Sequence, residues 1–193
     1  MKCKHLIGIT GYGGSGKGAA SEILAQRGFT RMKFAGPLKA AMRSMLREAG
    51  VGDDLIDRMI EGDLKEVGRV ELGGASPREF MQWLGTEARN EFGEQIWVNM
   101  AIRAIMESDS QAIVFDDVRF ENEAAAIRGL GGVIVEMHRE GVGPVNDHPS
   151  ERTLEGDAVC LNNGGIDNLR EDMDELIAWV SSRALAAIGE DAA

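Results

Sequence analysis

Residues 11–18, GYGGSGKG, follow a short apolar run and precede a helical pattern, and this order of strand, glycine-rich bend and helix constrains the fold more than any other segment. Gly11, Gly13, Gly14 and Gly16 let the backbone curl until successive N–H groups point inward, and a helix beginning near Lys17 aims its positive dipole end at the same place. Such a bend cradles phosphate oxygens, and Lys17 is spaced to reach the β and γ phosphates of a nucleotide, with Ser15 and Gly18 completing the loop. A plain glycine turn with a solvent lysine is the competing reading, disfavoured by four glycines and a serine in this context. Gly18 stands where a Ser or Thr hydroxyl usually ligates magnesium, so help for the metal is expected from water held by Ser15 or Ser21 and from a carboxylate elsewhere.

Five Val- and Ile-rich runs, at 6–10, 30–34, 112–115, 133–137 and 158–161, alternate with helical patterns at 17–27, 37–49, 77–92, 95–107, 120–128 and 166–188. Strands this short and apolar are covered on both faces, which predicts an α/β fold with a five-stranded parallel sheet. Ser76 and Pro77 supply an N-cap and a first-turn proline for the third helix. Two stretches break the alternation: 51–75, glycine-rich and acidic, reads as an irregular excursion or a small helical insertion, and 139–153 reads as a long surface loop able to close over a ligand. With 193 residues the chain is expected to be a single domain, 1–193, with an insertion at about 35–107 and a lid at about 139–153.

A net charge of -11 leaves no broad basic surface for a polymeric nucleic acid, whereas a small anionic ligand needs only a few local cations. No apolar stretch approaches the roughly 20 residues that cross a bilayer, so no membrane partner is expected. Cys3 and Cys160 are far apart and lack metal-ligand spacing, and the first residues show no signal-peptide pattern, which together predict reduced thiols and a cytoplasmic protein. The residues do not distinguish a monomer from a homodimer.

The third apolar run ends in Asp116 and Asp117, followed by Val118, Arg119, Phe120, Glu121, Asn122 and Glu123. Carboxylates at the carboxyl edge of a parallel sheet lie beside the phosphate-cradling bend, where Asp116 is the metal-side candidate, through water, and Asp117 the substrate-side one. Arg119 could clamp an accepting phosphate through its planar fork, and a solvated helix cap with an exposed ion pair is the alternative.

On a helix over 77–92, Phe80, Leu84, Ala88 and Phe92, with Met81, form a stripe expected to face the core. Arg78, Gln82, Gly85 and Arg89 fall within about 60° of one another on another stripe. Gln82 could meet a base edge while Arg78 or Arg89 meets a phosphate, or the arginines could simply line a solvated face. Phe34 to Lys39 form a second strand-to-helix junction with Lys39 near an anion-binding turn, and Trp97 either stacks on a base or fills the core. His138 and His148 lack metal-site spacing and read as ordinary surface or loop residues.

Taken together, GYGGSGKG, FAGPLK, REFMQWLGTEARNEFG with Trp97, DDVRFENEA and the later DHPSE resemble the bacteriophage deoxynucleoside monophosphate kinase family, in motif order from about residue 6 to 185. The resemblance implies a P-loop kinase fold and transfer of a phosphoryl group from ATP, with Mg2+, to a deoxynucleoside monophosphate. It also implies that residues 13–18 hold ATP, and that Phe34, Lys39, Arg78, Gln82, Arg89, Trp97, Asp117, Arg119 and Glu123 line the acceptor site. Arg139, with Ser150, Glu151 and Arg152, would belong to the closing side, and Lys17, Arg119 and Arg139 would spread the developing charge. A dephospho-coenzyme A kinase or another small-molecule kinase shares the loop and layout, and a noncatalytic nucleotide-binding module remains the alternative of another class. A regulatory GTPase is disfavoured by the absence of an NKxD segment.

Overall fold

The computed structural model describes residues 5–144 and 153–190. Residues 35–100 form one compact unit, and 1–34 with 101–193 form the other.

The larger unit is built on five parallel strands, β1 His5–Thr10, β2 Thr30–Met32, β3 Ala112–Phe115, β4 Val133–His138 and β5 Ala158–Leu161, in the order β2-β3-β1-β4-β5. The expected sheet is therefore present, with β1 at its centre. Its helices are α1 Lys17–Gln26, α6 Glu121–Gly129 and α7 Ile166–Glu190. Alternate residues of β1 serve opposite faces, as a strand requires. Ile7 and Ile9 pack with Ile23 and Leu24 of α1 and Leu169 and Met173 of α7, while the other face of β1 approaches Ile127 of α6. Both faces of β1 are covered, which is why it reads as a continuous apolar run; the edge strands depart from the expected double coverage, with Thr30 and Arg31 of β2 and Val159 and Leu161 of β5 exposed.

β2 stops at Met32, two residues short of the expected end. The backbone N–H of Phe34 donates to Asp117 Oδ1 at 3.0 Å, and the Phe34 ring packs on Phe115 with centroids 4.7 Å apart. That side-chain acceptor takes the chain out of the ladder. All five strands run the same way, so the bend after β1, the end of β2, Asp116 and Asp117 after β3, and Arg139 after β4 share the carboxyl edge of one sheet.

The smaller unit holds α2 Gly36–Glu48, α3 Asp53–Ile60, a 3-10 turn Val70–Leu72, α4 Pro77–Phe92 and the start of α5 Ile96–Glu107. The 51–75 stretch thus contains one amphipathic helix, α3, whose Ile56, Met59 and Ile60 join Leu38, Met42, Leu46 and Met81 in a core. The expected Ser76 cap is closed from both sides: Ser76 Oγ accepts from the Glu79 backbone N–H, and the Glu79 carboxylate accepts from the Ser76 N–H. One expectation for α4 needs correcting. Its buried face is Pro77, Met81, Gly85 and Ala88, and Phe92 is 75% exposed, because it is the last helical residue and the chain leaves at Gly93, φ 98°.

Candidate active site

The bend after β1 has the backbone that its glycines foretold. Gly11 and Gly16 have φ of 135° and 103°, a region other residues rarely enter, and a Cβ at Gly11 would lie 2.4 Å from the Met137 carbonyl oxygen. Lys17 opens α1, and its ammonium donates to the carbonyl oxygens of Gly11 and Tyr12, 2.7 Å from each. Two hydroxyls here are buried without a hydrogen-bond partner among the described residues, Thr10 Oγ1 and Ser15 Oγ. A buried hydroxyl without a partner, in a glycine-rich bend that opens a helix, is chemistry able to receive an anion's oxygens.

Asp116 is buried at the end of β3 and is held from three sides. Its Oδ2 accepts from Ser21 Oγ at 2.8 Å and from Arg31 at 2.9 Å, and Lys33 Nζ stands 3.7 Å from Oδ1. Burial opposes ionisation of this carboxyl, but the hydrogen bonds from Arg31 and Ser21 and the charges of Lys33 and Arg31 outweigh it and hold the pKa below the usual aspartate value. Because the folded pKa is the lower one, the bonded carboxylate stabilises the fold at pH values above about 3.9 and loses that contribution as the pH falls through the folded value. Asp116→Asn should therefore cost about 1–3 kcal/mol near neutrality, less than a wholly buried pair because Arg31 and Lys33 are one-third exposed. Urea midpoints taken down to pH 3 should show the gap between variant and wild type closing; a gap independent of pH would contradict this assignment.

Asp117 orders the neighbouring backbone through Phe34. Glu123, buried at the start of α6, accepts from the backbone N–H groups of Arg119 and Phe120 at 2.8 and 3.2 Å. It fastens the turn that carries Arg119, which is half-exposed. Arg139 is exposed immediately after β4, the strand paired with β1, and Val142 of the same segment lies 3.9 Å from the Cβ position of Gly14 in the bend. Ser150, Glu151 and Arg152, with His148 and most of the expected lid, lie outside the described residues.

In the smaller unit, Arg78, Gln82, Gly85 and Arg89 share one face of α4 as the helical period requires. Gly85 is buried, and its carbonyl accepts from Arg89 at 3.1 Å and from the Trp97 indole N–H at 3.2 Å. Trp97 is a core side chain that braces Gly85, because its ring packs with α2 and α3. Arg78 bonds Glu66, and Lys39 bonds Glu61 at 2.7 Å; both carboxylates are about half-exposed or more. Exposed pairs of this kind are worth about 1 kcal/mol or less.

A family model described as deoxynucleotide monophosphate kinase matches residues 66–173, from before α4 into α7. A provisionally named deoxynucleotide monophosphate kinase of Acanthamoeba polyphaga mimivirus is 32% identical over 181 residues, covering 84% of this chain and 90% of that protein. The chain belongs to the deoxynucleotide monophosphate kinase family. It is a nucleotide kinase, and therefore a phosphotransferase. The matched span excludes the bend at 11–18, so the phosphate loop is an observation independent of the family match. Among solved structures, TT1252 of Thermus thermophilus aligns over 92% of the kinase and 98% of itself, with a TM-score of 0.51 at 15% identity, which shows a shared fold. APS kinase CysC of Mycobacterium tuberculosis aligns over 92% of the kinase with a TM-score of 0.42.

Three residues that touch Asp116 or the bend carry no motif. Arg31 and Lys33 sit two apart at the end of β2, the spacing that puts both on one side of a strand, and this is the signal by which they could have been found. Asn162 follows β5, and an Asn-Asn-Gly-Gly run at the carboxyl end of a strand was its only sign. Among the described residues no helix is long and apolar enough to cross a membrane, and no three His, Cys, Asp or Glu side chains gather into a metal cage.

Proposed function

We propose that the kinase transfers the γ-phosphoryl group of ATP to a deoxynucleoside monophosphate, giving the diphosphate, as a single kinase domain whose unit 35–100 binds the acceptor. The observation that carries the donor half is the β1–α1 bend, with its left-handed glycines, the orphaned Ser15 hydroxyl and Lys17 at the helix start. Magnesium bound with ATP would neutralise charge on the β and γ phosphates. With no carboxylate cage among the described residues and with Asp116 already bonded to Arg31, the kinase fits a metal carried by the nucleotide, reached by Asp116, Ser21 or Ser15 through water.

The reaction needs alignment and charge neutralisation more than a protein base. An oxygen of the acceptor's own phosphate attacks the γ-phosphorus, the bond to the bridging oxygen breaks, and ADP leaves with that electron pair. Lys17, Arg119 and Arg139 spread the charge on the moving group. Within unit 35–100, Arg78, Arg89 and Lys39 meet the acceptor's phosphate and Gln82 its base, with Trp97 setting Gly85; in the larger unit Glu123 fastens the Arg119 turn and Asp117 holds the Phe34 backbone. The test is a panel: ATP, magnesium and each deoxynucleoside monophosphate, ribonucleoside monophosphate or dephospho-coenzyme A in turn, with products resolved. At least one deoxynucleoside diphosphate is expected. Phosphorylation of dephospho-coenzyme A alone, or ATP binding with no product from any acceptor, would overturn the proposal.

A further inference from the structure

Asn162 stands at the carboxyl end of β5, 147 residues from the bend, and its side chain reaches it. The residue is nine-tenths buried, and Nδ2 donates to the Ser15 carbonyl oxygen at 2.9 Å. Its own backbone N–H donates to the His138 carbonyl at 2.8 Å, so the amide is anchored to the end of β4. Gly16 packs so tightly against this amide that a Cβ there would lie 2.1 Å from Nδ2. Among the bend's glycines this is the tightest Cβ position against a described side chain.

A trans peptide is planar, with its C=O and N–H pointing in opposite directions, and the described residues contain no cis bond. Pinning the Ser15 carbonyl toward Asn162 therefore turns the Gly16 N–H away from Asn162. We infer that Asn162 is a positioning residue for the donor: by holding the Ser15 carbonyl, it sets the Gly16 N–H, and the amides that follow it into α1, to receive the polyphosphate of the nucleotide. The inference rests on the reading of the bend as the ATP site. Without this bond the Ser15–Gly16 peptide, flanked by a glycine of φ 103°, has a second orientation open to it that presents a carbonyl oxygen to the phosphates and repels them. The ligand part recognised through Asn162 is the phosphate chain and not the base.

The experiment is calorimetric titration of the full chain with magnesium ATP and, separately, with magnesium tripolyphosphate. Wild type is compared with Asn162→Ala and with Asn162→Asp, which keeps the side-chain volume and replaces the donor by an acceptor. Near-UV circular dichroism confirms that each variant is folded. Wild type should bind both ligands. Asn162→Ala should weaken both by the same factor, about tenfold, as expected when a buried carbonyl loses its donor. Asn162→Asp should weaken both further, while KM for the monophosphate at saturating ATP stays unchanged. Equal affinities in all three proteins would overturn the inference and leave the ATP site standing. Weakened ATP with unchanged tripolyphosphate would also overturn it, by assigning Asn162 to the base. A wild type that binds neither ligand would overturn the ATP site itself, and the inference with it.

Discussion

Lys17→Ala is expected to fold normally and to lose about 100- to 1,000-fold in kcat, the scale set by removing one preorganised charge or donor from a transition state. Lys17 is half-buried at the first position of α1, where its ammonium donates to the carbonyl oxygens of Gly11 and Tyr12. Those carbonyls can turn to water, and alanine is a good helix former, so stability should change by no more than about 2 kcal/mol. In the proposed mechanism the side chain instead follows the γ-phosphoryl group as it moves. A charge needed mainly in the transition state lowers kcat more than it raises KM for ATP. A coupled ADP-release assay with a saturating monophosphate reads the loss, and a urea titration reads the fold. Undiminished turnover would remove Lys17 from the mechanism.

Gly11→Ala should be the most damaging single methyl in the larger unit. The new Cβ would sit 2.4 Å from the Met137 carbonyl oxygen, a backbone atom inside the β4 ladder that cannot swing aside, and the residue would have to keep φ near 135°. Backbone strain of this kind costs about 1–3 kcal/mol, and overpacking adds about as much again. The cheaper response is for the bend to move, which pulls the Gly11 and Tyr12 carbonyls off Lys17 and misplaces the amides behind them. We expect a loss of about 2–5 kcal/mol in denaturant unfolding together with ATP binding too weak to titrate. Wild-type affinity in a protein of wild-type stability would show that the bend has slack that its close contacts do not reveal.

The two outcomes differ because the proposed mechanism has Lys17 act on the ligand and Gly11 on the backbone that presents it. The left-handed glycines and the helix start at Lys17 were legible in the amino-acid order, since the spacing of glycines around Gly-Lys is itself the geometry. Legible too were the five strands, nearly to the residue, because apolar runs of four to six flanked by glycines are local signals. The shared face of Arg78, Gln82, Gly85 and Arg89 followed from the helical period alone. So did most of its buried side: Met81 and Ala88 are buried and Phe80 and Leu84 pack against the same core, whereas Gly85 turning inward and Phe92 outward depend on where α2, α3 and Trp97 pack.

What the chain order settled, then, was every feature whose cause lies within a few residues: periodicity, turn chemistry, the cap at Ser76 and the phosphate-cradling bend. What awaited the tertiary structure were pairings between distant segments: the strand order β2-β3-β1-β4-β5, Arg31 on Asp116 across 85 residues, Phe34 on Asp117 across 83, and Asn162 on Ser15 across 147. The reason is physical. A strand's own residues state that it will pair, but its neighbours are chosen by how all the helices cover both faces at once. Only after that choice do Arg31, Lys33, Asp116 and Asn162 arrive at one edge of the sheet.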